Sequence, residues 1–336
     1  MFQMRNLVFE FSRVTETAAL AAYKYVARGD KDIADDAAVK AMRYMLNKTP
    51  IDGEIVIGEG EMDEAPMLYI GEKVGCGGFE VEIAVDPIDG TKACAFGLEN
   101  SIAVIAATTK GCMLKAPDMY MDKIAVGPDA KGAIDIGQSV TENVKSVAKA
   151  LNKDISEVGV AVLNRERHDE VVSQLVKLGC KIFKFNDGDI SKAVLTCIPE
   201  SDIDIMVGMG GAPEGVVAAA AIKALGGDFQ GKLIHYNEIW DDEDSEKFTN
   251  KEIEQLKKMN LKVHQVLKMD DLIKGDEFIC SITGITSGDL VEGVVRDGNS
   301  AVTETLLIRG QTQTIRKIKS QHMIDKKDDY LKEIML

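Results

Sequence analysis

The sequence predicts an α/β chain in which mixed sheets are layered with helices, and three observations carry that expectation. The stretch from Val158 to Gly227 alternates strand-like and helical runs, which implies crossover units and a largely parallel sheet. Further β-type runs, bounded by Gly, Pro or acidic residues, stand on both sides of it, so sheets are expected in both halves. Hydrophobic residues make up 45% of the 336, enough to bury a sizeable core and to exclude a disordered, collagen-like or low-complexity protein.

The elements follow in order. Phe11 to Arg28 (FSRVTETAALAAYKYVAR) and Asp36 to Asn47 (DAAVKAMRYMLN) are rich in Ala and free of Gly and Pro, so both read as helices. RGDKDIAD between them is a polar connector. Strands are expected at Gly53 to Ile57, Val81 to Asp86, Ser101 to Ala106 and Ile124 to Val126. Then come VGVAVL, a helix from His168 to Leu178, KIFKF, a helix near Ser191 to Cys197, IDIMVG and a helix from Glu214 to Leu225. An acidic insert from Trp240 (WDDEDSEKFTNKE) reads as a solvated face and is assigned no function. Strand-like runs resume at Glu277 to Ile282, Leu290 to Val295, Ala301 to Ile308 and Thr312 to Ile318. With no internal repeat and no Ser/Gly linker, a boundary is expected near residue 155, between lobes 1–155 and 156–336.

Charge and composition remove whole classes of function. Lys and Arg total 40 against 55 Asp and Glu, a formal net charge of −15 that repels a phosphate backbone, so nucleic acid is not an expected partner. The longest wholly apolar run, Val216 to Ile222, is far short of the ~20 residues of a spanning helix. No membrane is expected, and the amino-terminal segment lacks the uninterrupted apolar stretch of a secretory signal. Cys76, Cys94, Cys112, Cys180, Cys197 and Cys280 form no CxxC pair, which suits reduced thiols in a cytoplasm. His168, His235, His264 and His322 stand apart without HExxH-type spacing, so a zinc site of nitrogen or sulfur ligands is not expected.

The strongest local signal is EIAVDPIDGT, where an alternating run ends in Asp86, Pro87, Ile88, Asp89, Gly90 and Thr91. Pro87 fixes φ and Gly90 permits a backbone closed to other residues, so two carboxylates are held at a strand's end. Alone, such a pattern is more often an Asx-stabilised turn with no ligand. Its company includes Glu59, Glu61, Asp63 and Glu64 in a Gly-punctuated loop, and Asp30, Asp32, Asp35 and Asp36 in the connector. Crowded carboxylates favour a hard cation, Mg²⁺ or Mn²⁺, which commonly bridges substrate phosphates and offsets the negative field.

Other motifs have competing readings. Gly208, Gly210 and Gly211 sit between a strand and a helix, as a dinucleotide fingerprint would, but Pro213 occupies its last glycine position and no GK[ST] follows. Pro213 suits a first helical turn whose amides could meet an anion. Arg165 and Arg167 at a strand's end are candidates for gripping a phosphate, with Lys31 and Lys92 of lower weight.

IGEGEMDEAPMLYIGEKVG, VDPIDGT, APDMYM, GDI and GMGGAPEGVV closely resemble class II fructose-1,6-bisphosphatases, the bacterial gluconeogenic type, over nearly the whole chain. The DPIDGT element is shared more widely with lithium-sensitive phosphatases, including inositol monophosphatases. The resemblance implies a layered α-β-α-β-α sandwich, with most metal ligands in the amino-terminal lobe and the sugar-phosphate contacts in the other. It implies metal ligands at Asp35, Glu59, Asp86, Asp89 and Glu214. It places Asp89, Gly90, Thr91, Tyr120, Arg165, Glu166, Arg167, Asp187, Gly188, Asp189 and Gly211 against the sugar phosphate, with Asp63 of lower weight. Thr91 would position the attacking water, with Glu59 or Asp35 receiving its proton. Where many members of the family have Glu, this chain has Asp89, whose oxygen is retracted by one methylene.

The implied reaction removes the 1-phosphate of fructose 1,6-bisphosphate. Phosphate monoester hydrolysis needs enhancements of ~10²¹-fold, about 29 kcal/mol, which no single side chain supplies and for which two hard cations are suited. Sedoheptulose 1,7-bisphosphate, inositol phosphates and a non-catalytic cation-binding role are the alternatives. A homo-oligomer is expected.

Overall fold

A computed structural model describes residues 4–60 and 65–336. By internal contacts the chain forms two compact units, residues up to Met113 with Asp276–Leu336, and Leu114–Gly275. The boundary expected near residue 155 lies within the second of these. Each unit is built on its own mixed sheet, in keeping with the predicted α/β class.

The first unit opens with α1 (Val8–Tyr23) and α2 (Lys31–Leu46). Ala-rich faces let the two helices approach closely, with Ala21, Ala37 and Ala41 packed together. The second helix begins before Asp36, inside the expected connector, because Asp30 caps it: its Oδ1 accepts from the Asp32 and Ile33 amides, both at 3.1 Å. Strands β1 (Ile51–Ile57), β2 (Lys73–Val74) and β3 (Phe79–Asp89) follow, then the short helix α3 (Thr91–Phe96) and strand β4 (Ile102–Thr108).

The second unit runs through β5 (Tyr120–Val126), α4 (Val140–Leu151), β6 (Gly159–Leu163), α5 (Asp169–Leu178), β7 (Lys181–Phe185), α6 (Asp189–Leu195) and β8 (Ile205–Gly211). It ends with α7 (Ala212–Ala224), β9 (Asp228–Ile234), α8 (Ser245–Met259), β10 (Val266–Lys268) and α9 (Met269–Leu272). The chain then returns to the first unit with β11 (Phe278–Gly284), β12 (Val295–Asp297), β13 (Ser300–Arg309), β14 (Thr314–Met323) and α10 (Asp329–Met335).

In the first unit the strand order is β12-β13-β11-β4-β3-β1-β2, with β14 paired to β13. Helix α1 covers this sheet, and two of the polar side chains it buries, Thr15 and Glu16, find partners on it, Glu16 Oε1 accepting from Ser320 Oγ at 2.7 Å. Thr15 Oγ1 meets Ser281 Oγ and Thr283 Oγ1, both at 2.8 Å, and Thr283 reaches Thr305 at 2.8 Å. The strand expected at Leu290 to Val295 is instead a loop reaching β12 only at Val295, with Val294 N–H bonded to Ile285 O at 3.2 Å. Leu290 and Val291 are buried, so the apolar run that suggested a strand reports packing and not laddering.

The second sheet has the order β10-β9-β5-β8-β6-β7. Strands β6, β7 and β8 are parallel, as the alternation predicts. The sheet is not largely parallel, because β5 inserts between β8 and β9 and runs antiparallel to both. The crossover through α7 therefore steps over β5. One end of this sheet gathers the carboxyl ends of β6, β7, β8 and β9 and the start of β5, the edge at which open α/β sheets bind ligands.

Candidate active site

In the first unit the VDPIDGT segment is a strand running into a sharp turn. Asp86 Oδ1 accepts the Ile88 amide at 3.1 Å, an Asx turn, and the β3–β4 register shifts between Asp86 and Asp89. Gly90 has φ +89°, a left-handed conformation that frees the chain to begin α3 at Thr91. The α1–α2 connector is tied to that helix, Ala27 N–H to Cys94 O at 3.0 Å and Gly29 N–H to Ala95 O at 2.8 Å. This anchors the first turns of α2 beside the turn that carries Thr91.

Asp35 projects from that part of α2 and hydrogen-bonds Glu59. Burial raises its pKa, the bond to Glu59 lowers it, and the charges of Asp32 and Asp36 raise it further. Its charge also reaches Cys94, whose thiol burial pushes up to about 11. Two carboxylates in hydrogen-bond contact need a proton or a cation shared between them. Lys31 is exposed and lies 4.0 Å from Asp32, and Lys92 is exposed. Asp63, Glu61 and Glu64 lie outside the described residues.

The second unit holds another cluster at the edge of its sheet that gathers the ends of β8 and β9 and the start of β5. Lys123, only 2% exposed, points from β5 to Asp189 Oδ2 at 2.5 Å and to Gly211 O at 3.1 Å. Asp189 opens α6 after Gly188, which has φ +87°. A Cβ on Gly210 would collide with the Asp189 carboxylate, and one on Gly211 with that of Glu214. The two glycines therefore make room for two carboxylates, and the resemblance to a dinucleotide loop is incidental. Burial raises the pKa of Glu214, Lys123 opposes it, and Asp189 and Asp118 raise it further. Glu214 Oε2 is buried with no hydrogen-bond partner among the described residues.

Arg167 leaves a 3-10 turn at Glu166–His168 and stacks 5.3 Å from the centroid of the Tyr120 ring. Its Nη2 donates to Met209 O at 2.8 Å, and its buried Nε has no partner among the described residues. Arg165 donates to Asn164 O at 3.0 Å and Asn186 O at 2.7 Å, Glu166 is exposed, and Asp187 is half-buried on the same edge.

The chain matches the family model described as bacterial fructose-1,6-bisphosphatase, glpX-encoded, over residues 5–322. It belongs to that family. Relatives include fructose-1,6-bisphosphatase 1 class 2 of Escherichia coli (strain K12), 53% identical over 96% of this chain and 97% of the relative. Fructose-1,6-bisphosphatase class 2 of Haemophilus influenzae is 54% identical over 96% and 97%, and fructose-1,6-bisphosphatase 2 class 2 of the same E. coli strain is 44% identical over 95% and 100%.

The donor chemistry of this class 2 fructose-1,6-bisphosphatase family member fits hard cations. Asp35, Glu59, Asp86, Asp89 and Glu214 all offer oxygen, Asp35 and Glu59 form a carboxylate pair, and Glu214 has an orphaned buried oxygen. Among the described residues, no three His, Cys, Asp or Glu side chains stand as a ready-made metal shell. No helix among them is long and apolar enough to cross a membrane.

Sequence reasoning missed Lys123. The available signal was its place between Met121 and Ala125 on the buried face of a strand, where a lysine requires a counter-charge. It also missed the use of His168, which is buried. Its Nδ1 lies 2.8 Å from Leu163 O, and its Nε2 accepts the Met209 amide at 2.8 Å. An Nε2 that accepts from an amide is unprotonated, so Nδ1 carries the proton and the neutral ring laces β6 to β8. Burial lowers its pKa accordingly.

Proposed function

We propose that this chain hydrolyses the 1-phosphate of fructose 1,6-bisphosphate to fructose 6-phosphate and phosphate, with Mn²⁺ or Mg²⁺, in cytoplasmic gluconeogenesis and as a homo-oligomer. The observation that carries the reading is identity above 50% over 96% of the chain to relatives named for this activity. The residues proposed to hold the cations are Asp35, Glu59, Asp86, Asp89 and Glu214. When bound, such ions neutralise phosphate charge and make a water acidic enough to attack phosphorus.

The rest falls to side chains of this protein. Arg167, with a buried donor still to be satisfied, and Arg165 grip the non-reacting phosphate, and the Tyr120 hydroxyl adds a third donor. Asp187 and Asp189 accept from sugar hydroxyls, and the Gly211 backbone borders them. Thr91, held by the Gly90 turn at the head of α3, orients the water and relays its proton toward Glu59 or Asp35.

Phosphate release from fructose 1,6-bisphosphate, sedoheptulose 1,7-bisphosphate and inositol monophosphate, each with Mn²⁺, Mg²⁺ or excess chelator, tests the reading. Turnover of the fructose ester that chelator abolishes is expected. Preference for inositol monophosphate would overturn the substrate assignment, and full turnover in chelator the cation dependence. Inhibition by lithium is expected from the DPIDGT element.

A further inference from the structure

The acidic insert that follows β9 carries Trp240, the one tryptophan of the chain. It lies on the same sheet edge as the sugar-phosphate candidates, because Tyr120 pairs in register with Ile234 at the end of β9 and with Gly211 at the end of β8. The indole Nε1 donates to the Tyr120 hydroxyl at 3.3 Å. Tyr236 packs 6.3 Å from Tyr120 and 4.9 Å from Phe248, centroid to centroid. A continuous wall of Arg167, Tyr120, Tyr236 and Phe248 results.

The loop carrying the indole is braced. Trp240 N–H bonds Tyr236 O at 2.9 Å, and Ser245 Oγ donates to Trp240 O at 2.8 Å. Tyr236 OH donates to Asp242 Oδ2 at 3.0 Å, and Glu252 of α8 accepts from the Tyr236 amide at 3.0 Å and faces His235 Nδ1 at 3.0 Å. The carboxylates of this segment thus brace the loop as well as facing solvent.

We infer that Trp240 is a positioning residue for substrate binding, acting through Tyr120. An indole N–H can only donate, so the Tyr120 oxygen is the acceptor in this pair and its own proton remains available to donate. A phosphate oxygen is a pure acceptor, and the polarity of the Trp240–Tyr120 bond is the one that serves it. Arg167 against the Tyr120 ring and Trp240 at its hydroxyl hold the phenol at two points. The inference rests on the proposed assignment of Tyr120 to the sugar phosphate.

Trp240→Phe keeps an aromatic ring and removes the donor. Steady-state phosphate release from fructose 1,6-bisphosphate should show KM raised roughly three- to ten-fold, the size of one neutral hydrogen bond, with kcat within about twofold. In a Tyr120→Phe background the same substitution should add nothing further, since the bond is already gone. In the unaltered enzyme, fructose 6-phosphate should change the emission of Trp240, a readout that needs no variant to fold. An unchanged KM, equal penalties in both backgrounds, or emission indifferent to saturating fructose 6-phosphate would each overturn the inference while leaving turnover intact. Absence of turnover by the unaltered enzyme would instead overturn the functional reading beneath it.

Discussion

Replacing Lys123 by Met should be the most damaging single change in the second unit outside its apolar core. The lysine is 2% exposed and its Asp189 partner sits 2.5 Å away with a side chain only 12% exposed. Met matches the length of the stem but leaves the Asp189 carboxylate, the Gly211 carbonyl and the nearby Glu214 without their shared cation. Removing one partner of a buried pair costs about 3–5 kcal/mol, because the charge that remains is uncompensated. At ~2.1 cal/mol/K per residue, that lowers Tm by about 4–7 °C if the whole chain melts together and by about 9–15 °C if the second unit melts alone. Differential scanning calorimetry of the purified variant measures this directly. The double variant Lys123→Met with Asp189→Leu should recover part of the lost stability, since the Asp189 charge is then no longer stranded while Glu214 still lacks its cation, and substrate affinity stays low. A single variant melting within about 1 °C of the unaltered protein, at a stated uncertainty of the same order, would refute the claim that this pair is a buried, mutually dependent one.

Thr91→Ala should lower kcat by about 10²- to 10⁴-fold, the range for a group that handles a proton, while Mn²⁺ binding measured by calorimetry is retained. Gly211→Ala drives a methyl into the Glu214 carboxylate, so it should raise the Mn²⁺ concentration needed for half-maximal activity; an unchanged metal dependence would remove Glu214 from the ligand set. His322 gives a pH prediction with a definite sign. Its Nδ1 faces Lys327 Nζ at 3.0 Å and its Nε2 faces Thr303 Oγ1 at 2.8 Å, and burial with the Lys327 charge pushes its pKa down to about 4. A depressed pKa makes its contribution fully present above ~6.5, the unfolded value, and lost as pH falls through about 4, so urea stability should drop between these limits. His322→Gln should flatten that part of the profile, and an unaltered slope would contradict the assignment.

Much of the architecture is readable from residue order because it depends on local rules. Ala-rich runs without Gly or Pro became α1 and α2, KIFKF became β7 unchanged, and the strand–turn–helix around Asp86 to Thr91 follows from what Pro87 and Gly90 allow. Helix α4, helix α8 and strand β9 were not read. The apolar stripe of α8 is thin and its start is acidic, so its segment resembles a solvated loop until Glu252 is seen accepting from the Tyr236 amide. The wedging of β5 between β8 and β9 is likewise invisible locally, because strand direction is decided by which partner an edge meets.

The candidate site divides the same way. Residue types pointed to crowded carboxylates and two candidate arginines, while it is the family resemblance, and not spacing, that singles out Asp35, Glu59, Asp86, Asp89, Glu214 and Gly211. Packing alone decided that Lys123 neutralises Asp189, that His168 is a neutral structural lace, and that Trp240 faces the Tyr120 hydroxyl. These partners are tens of residues apart, and a charge's or a donor's role depends on distance and burial, which exist only once the chain has folded.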